Sequence, residues 1–208
     1  MPLDPGDYDG TYKPIGGEPS LDLVNTVSWC GTEREHDWFD RPGNVITWAA
    51  ELGLIDASGA ALLRRSLKAQ PARVADELQE VHEVRAALRA VLSPLAHGEP
   101  PPAGAVDGLN ELLRHVRRAN VVDSRTLARS WDPATTLVEA VTPAVDNAAD
   151  VLTEADHSRL RHCPACGWLF LDTSRNRSRR WCDMADCGSR DKALRYYHRT
   201  RAPRRAGS

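Results

Sequence analysis

Four cysteines, Cys163, Cys166, Cys182 and Cys187, stand in the arrangement C-x2-C-x15-C-x4-C inside a segment crowded with arginine. Two cysteines separated by two residues can turn both sulfurs onto one ion in a tight knuckle, and a second close pair completes a tetrahedron. Zinc accepts four thiolates without redox chemistry, and the residues between the pairs suffice for a short hairpin that brings them together. Such a site leaves no open coordination position, so a single structural Zn2+ is expected and catalysis by it is not. Metal binding contributes roughly 10–16 kcal/mol in small fingers, which a segment of this size cannot replace by packing a core. His162 and His198 read as a helix-end and a surface histidine rather than ligands. Cys30, beside Trp29 and far from the other four, reads as a buried thiol.

The competing reading of paired cysteines is a disulfide in an exported protein. The chain opens Met1, Pro2, Leu3, Asp4, with neither a charged leader nor an apolar core to one. No apolar run approaches the roughly 18 residues of a membrane span. A cytoplasmic protein without a membrane partner is therefore expected, its thiols reduced and free for metal.

Charge divides the chain. Residues 157–208 hold 13 Lys and Arg against 4 Asp and Glu, a balance of +9, while the remaining 156 residues hold 14 against 25, or −11. Four thiolates and one zinc ion add −2, which leaves the basic segment at about +7. Two arginines would neutralise the cluster. The surplus is the footprint of a segment that meets phosphate or another acidic surface. The organisation expected is a helical domain over residues 1–156 and a zinc finger with a basic tail over 157–208.

Within the finger, Trp168 to Leu171 suit a strand and Arg179 to Trp181 its return partner, joined by a polar turn. Gly188 to Arg201 reads as a helix, with Lys192, Arg195 and Arg199 on one face and Ala193, Leu194 and Tyr197 on the other, packed on the hairpin. The basic stripe can enter a major groove or lie along phosphates. Arg175, Arg177, Arg179 and Arg180 would then clamp the neighbouring backbone. Trp168, Phe170 and Trp181 read as the finger's small core.

The run from Cys163 through Arg199 resembles the bacterial CGNR zinc finger, a C-terminal module named for the motif at its last ligand. The resemblance implies that Cys163, Cys166, Cys182 and Cys187 are the zinc ligands and that Gly188 and Arg190 match the glycine and arginine of that motif. Ser189 stands where the family usually has asparagine; either can cap a helix, so the fold is expected to survive. Gly16, Gly17, the run Leu21 to Val27 and the run Asn44 to Trp48 resemble the ABATE domain, which usually precedes this finger in stress-induced transcription regulators. The implied role is DNA binding.

Residues before 157 read as mainly α, about five helices around one core. Asn44 or Asp40 can cap a short helix carrying Val45, Trp48, Ala49 and Leu52, ended by Gly53. Val74, Leu78, Val81, Leu88, Val91, Leu92 and Leu95 line a long helix that stops near Gly98, and Leu109, Leu112, Leu113 and Val116 repeat the pattern. Leu137 to Val141 and Val145 to Leu152 form a pair that Pro143 must kink or divide. The Gly/Pro-rich start and the stretch around Val121 to Trp131 are candidate hairpin segments. Asn25, Thr26, Trp48 and Arg85 are a candidate pocket for a small-molecule effector; the plainer reading makes them capping and packing groups with a solvated Arg85.

No phosphate loop, dinucleotide fingerprint, metalloprotease motif or serine elbow occurs, so no enzyme is expected. Three functions compete. The first is a zinc-dependent DNA-binding regulator, with the helical domain for sensing or homodimerisation. The second is an RNA-binding module. The third is a protein-interaction finger whose arginines meet an acidic partner, the acidic helical domain included.

Overall fold

The computed structural model describes residues 3, 12–116, 120–122, 124, 129–131 and 133–201. The rest of the Gly/Pro-rich start and the basic tail beyond residue 201 lie outside them. Among the described residues the protein is mainly α, with seven α-helices and three two-stranded antiparallel hairpins.

Helix α1 (Pro19–Val24) begins with proline in its first turn, where the missing N–H costs nothing, and is buried from Ser20 to Val24. Strands β1 (Val27–Ser28) and β2 (His36–Asp37) follow as a minimal hairpin. Helix α2 (Pro42–Glu51) is capped by neither Asn44 nor Asp40: Arg41 is the N-cap and Pro42 opens the first turn. Asn44 lies inside the helix, buried, and donates to Trp38 O at 2.9 Å and Asp40 Oδ1 at 3.2 Å, tying the helix start to the preceding loop. Gly53 takes a left-handed φ of 69° just past the helix, the terminating role expected of it.

Helix α3 (Ala57–Ala69) was not expected. It buries only Ala60 and Leu63, so its apolar stripe is too thin to announce itself; the signal is Asp56, whose side chain accepts from Gly59 N at 2.6 Å. Helix α4 (Val74–Ala96) runs as expected and ends before Gly98, and α5 (Ala103–Val116) buries Leu109 and Val116. Strands β3 (Asn120–Val122) and β4 (Arg129–Trp131) form the expected minor hairpin.

Helix α6 (Leu137–Glu154) is not divided at Pro143 but runs through it. A capping box between Thr136 and Glu139 fixes its start. It packs on α1, α2, α4 and α5. Burying Leu137, Ala140, Val141, Ala144, Val145, Ala148 and Val151 along its length outweighs the one hydrogen bond that proline removes.

Strands β5 (Leu160–His162) and β6 (Leu169–Leu171) and helix α7 (Ser189–Arg201) make up the C-terminal part. The expected partner of Leu169–Leu171 was Arg179–Trp181; the observed one is Leu160–His162, with Leu160 opposite Leu171 and His162 opposite Leu169. The knuckle between Cys163 and Cys166 closes the shorter loop, helped by Gly167 at φ 80°. Arg179 is drawn instead to Asp172, whose carboxylate accepts from Ser174 N at 2.8 Å and Arg179 N at 3.0 Å.

One hydrophobic cluster spans both parts, joining Leu21, Leu88 and Leu92 to Leu160, Trp168, Leu169 and Phe170. Polar bonds stitch the junction. Asn25, fully buried, donates to Leu169 O at 2.8 Å and accepts from Leu169 N at 2.7 Å, filling both backbone positions as a neighbouring strand would. Leu171 N donates to Gly16 O at 2.8 Å, and Trp168 Nε1 to Ser28 Oγ at 3.0 Å. Gly16 is at the same time packed tightly on α1, where a Cβ would lie 2.8 Å from Leu21 Cβ. Its N–H donates to Asp22 Oδ1, a carboxyl that burial pushes up to about 7.

Asn25→Ala leaves two buried backbone groups of Leu169 without partners, so it should destabilise the chain by roughly 2–5 kcal/mol, read from urea midpoints. Asp22 sets a pH dependence. Its folded pKa lies above the unfolded value, so the folded state holds the extra proton between them, and stability should fall as pH rises from about 4 to about 7. The maximal slope is about 1.4 kcal/mol per pH unit. Urea midpoints compared with those of Asp22→Asn, which removes this component, check the sign.

Candidate metal centre

The Sγ atoms of Cys163, Cys166, Cys182 and Cys187 lie within 4.8 Å of one another, and all four residues are buried. Cys166 and Cys182 sulfurs are 3.4 Å apart, and those of Cys182 and Cys187 3.6 Å. A tetrahedron with Zn–S bonds near 2.3 Å has edges of ~3.8 Å, whereas a disulfide needs about 2.05 Å. The spacing fits one four-thiolate zinc ion and no disulfide.

The two pairs are positioned by different devices. Cys163 and Cys166 sit in the β5–β6 turn, where Cys163 N donates to Trp168 O at 2.8 Å and Gly167 N to Cys163 O at 2.9 Å. Cys182 precedes and Cys187 lies within a wide helical turn, Met184–Gly188, closed by Gly188 N donating to Asp183 O at 3.0 Å. Ala185 N donates to Asp183 Oδ1 at the start of that turn, and Ser189 Oγ donates to Met184 O, fastening the turn to α7. Ser189 thus holds the junction where asparagine was expected. Arg179 braces the second pair, its guanidinium donating to Trp181 O and Cys182 O and stacked 4.5 Å from the Phe170 ring.

Crowding shapes the sulfurs' protonation. Hydrogen bonds from Cys166, Cys182 and Cys187 pull the Cys163 thiol far down, while those shared with Cys163, aided by burial, push Cys166 and Cys182 far up. A dication lets all four ionise together, which is why metal binding and folding are linked here. His162 and His198 lie outside the cluster: His162 stacks on His97 at 4.6 Å, and His198 is exposed on α7. Cys30, expected to be buried, is exposed: its backbone follows Trp29, whose left-handed φ of 53° turns the chain outward.

The basic residues separate into groups. Lys192, Arg195 and Arg199 share one face of α7 and border a single surface cleft with Tyr196. Arg195 pairs with Asp191 at 2.9 Å, a surface contact worth well under 1 kcal/mol that a stronger anion can displace. Arg175 and Arg180 are exposed, Arg180 lying 5.0 Å from the Trp181 ring. Arg177 reaches back to Ser158 Oγ and Asp156, and Arg179 is committed inside the finger, so the four hairpin arginines do not form one clamp. Arg190 pairs with Asp186 at 2.7 Å and lies 5.6 Å from the Trp29 ring. The expected packing of Leu194 and Tyr197 on the hairpin does not occur; they are 63% and 48% exposed. Trp168 and Phe170 are buried and Trp181 half-buried, in the core position expected.

Asn25, Thr26, Trp48 and Arg85 are all buried, each bonded within the fold. Arg85 is not solvated: its fork grips Asp37 at 2.6 and 2.5 Å and Thr26 Oγ1 at 3.1 Å. Burial alone would raise Asp37, but Arg85 overrides it and holds the carboxylate below its usual range. Thr26 donates to Leu23 O, and Trp48 Nε1 to the Tyr12 hydroxyl. A different set, Trp29, Arg89, Ser93 and His162, lines a cavity beside the knuckle. The i, i+4 spacing of Arg89 and Ser93 on α4 was a legible signal for one side of it, whereas Trp29 and His162 join them only through the tertiary fold.

Two family models match the chain. The first, ABATE, described as "Putative stress-induced transcription regulator", covers residues 17–155. The second, the CGNR zinc finger, covers residues 159–200. No curated protein matches.

The finger strands share their core with α1 and α4, so metal removal should weaken the whole chain. Chelation, or Cys182→Ser, should lower the helical melting temperature by at least ~10 °C in circular dichroism, the size expected when several kcal/mol are lost from a chain of this length. An unchanged helical transition would show the finger to be an energetically separate appendage.

Proposed function

The chain belongs to the ABATE family, and from that premise we propose that it is a zinc-dependent DNA-binding transcription regulator working in the cytoplasm. One observation carries the reading: α7 leaves the zinc centre exposed along its length, with Lys192, Arg195 and Arg199 on one face. A helix of 13 residues spans about 20 Å, and its width suits a major groove about 12 Å across. The zinc-bound second cysteine pair fixes its root, so the metal determines the direction in which the basic face points.

Around that helix the other charges take supporting roles. Arg175 and Arg180, exposed on the finger, are placed to meet flanking phosphate; Arg177 can exchange its partly exposed bonds to Asp156 and Ser158 for one. Arg179 and Arg190 hold the finger together instead. The finger over residues 157–208 delivers the contact, and the helical domain over residues 1–156 senses or dimerises. Leu194 and Tyr197, exposed on the opposite face of α7, favour a protein surface there, in keeping with a homodimer on paired half-sites. The protein acts by binding and not by catalysis, in line with a closed thiolate centre.

Fluorescence anisotropy of a labelled duplex, titrated with zinc-loaded protein at several salt concentrations, tests this. Reversing Lys192, Arg195 and Arg199 together to glutamate should abolish tight binding and lower the log–log salt slope by about 3, one per lost phosphate contact. These side chains are exposed, so the variant should melt as the parent does. Unchanged affinity would sink the reading, and a preference for single-stranded RNA would replace it with the RNA-binding alternative.

A further inference from the structure

The cavity beside the knuckle has a volume of about 380 Å³ and lies where α4, the loop after β1 and the β5–β6 turn meet. Arg89, Ser93 and His162 contribute polar lining, and Trp29, Pro164 and Ala165 apolar lining. Arg89 is the unusual member. Its Nη2 donates to Val24 O at 2.6 Å and more weakly to Val27 O at 3.4 Å, yet no carboxylate pairs with it among the described residues. Burial, with the charge of Arg85, lowers its pKa, opposed by Cys30 and Glu35, neither of which hydrogen-bonds to it. A half-buried guanidinium facing a cavity without a counter-ion is a preformed seat for an anion.

Trp29 connects this cavity to the basic helix. Its left-handed backbone, uncommon for a bulky residue, is held by bonds to the knuckle: Trp29 N to Cys166 O at 2.8 Å and Nε1 to Ala165 O at 2.9 Å. Its ring carries Arg34 at 4.7 Å and Arg190, from the first turn of α7, at 5.6 Å. One side chain thus touches the cavity, the metal-binding turn and the root of α7.

We propose that the cavity binds a small organic anion with a flat apolar body, its carboxylate on Arg89 and Ser93 and its body against Trp29, and that occupancy tightens the root of α7 through Trp29. This supplies a location for the sensing role in the regulator reading, while the binding step itself does not depend on DNA. Benzoate is a suitable probe because it carries both features, and benzamide is its neutral counterpart.

Calorimetric titration of the zinc-loaded full chain should show benzoate binding one-to-one, at least tenfold tighter than benzamide. Arg89→Lys keeps the charge but loses the fork and should weaken benzoate by about tenfold or more. Ser93→Phe fills the cavity without touching Arg89's bonds to the backbone and should abolish binding while leaving the melting temperature near the parent's. Amide hydrogen exchange should slow at residues 165–167 and 189–201 when benzoate is bound. Absence of benzoate binding, equal binding of benzamide, or full binding by Ser93→Phe overturns the site. Protection that stops short of residue 189 overturns the link to α7. Benzoate binding by a chain with no affinity for duplex DNA upholds the site and removes the DNA reading alone.

Discussion

Four thiolates crowded within 4.8 Å of one another repel each other unless a dication sits among them, and the geometry of the C-terminal part follows from satisfying that constraint. The first pair needs a tight turn, which makes β5 and β6 partners. The second pair needs a wide one, which sets where α7 begins. Neither turn has a core of its own large enough to hold it, so the strands borrow one: Leu160, Leu169 and Phe170 lie in the same cluster as Leu21 and Leu92. Metal coordination and helical packing are therefore two halves of one structure, joined where Asn25 occupies both backbone groups of Leu169.

The sequence made some of this legible and hid the rest, for identifiable reasons. Cysteine spacing named the ligands because a knuckle is local, and the three- and four-residue periodicity of α4 and α5 is local too. Pairing of β6 was misread because Arg179–Trp181 looks extended; in the fold this segment belongs to the irregular loop after β6, where the Asp172 carboxylate accepts from Arg179 N. Pro143 was over-read: a helix-breaking residue loses to burial when four neighbouring helices surround it. Buried polar groups were the least legible. Arg85 looks like a solvated charge until the β1–β2 hairpin places Asp37 against it, and no pattern along the chain records that meeting.

Polar residues in the helical part serve two different ends. Arg85 has its carboxylate, its pair is satisfied, and it fixes the hairpin on α4. Arg89, one turn further along the same helix, has carbonyl partners but no carboxylate partner among the described residues. The contrast is informative: Arg89 caps the C-terminal carbonyl of α1 at Val24, where the helix dipole favours a cation. A cation that caps a helix and also lines a cavity can take an anion there without giving up its place in the fold.

Position then decides what such a ligand could influence. Helix α7 makes its packing contacts with the turn before it, so its direction is set at its root by few interactions: the Cys187 ligand, the Ser189 bond to Met184 O and the stacking of Arg190 near Trp29. A helix anchored by so few contacts is sensitive to each of them, whereas α6, buried along its whole length, is not. Trp29 is held on the knuckle through both its backbone N–H and its indole N–H, so the proposed ligand, seated against its ring, would act on the root of α7 through Arg190. The metal fixes where α7 starts, and Trp29 is the contact through which that ligand would alter how firmly it is held.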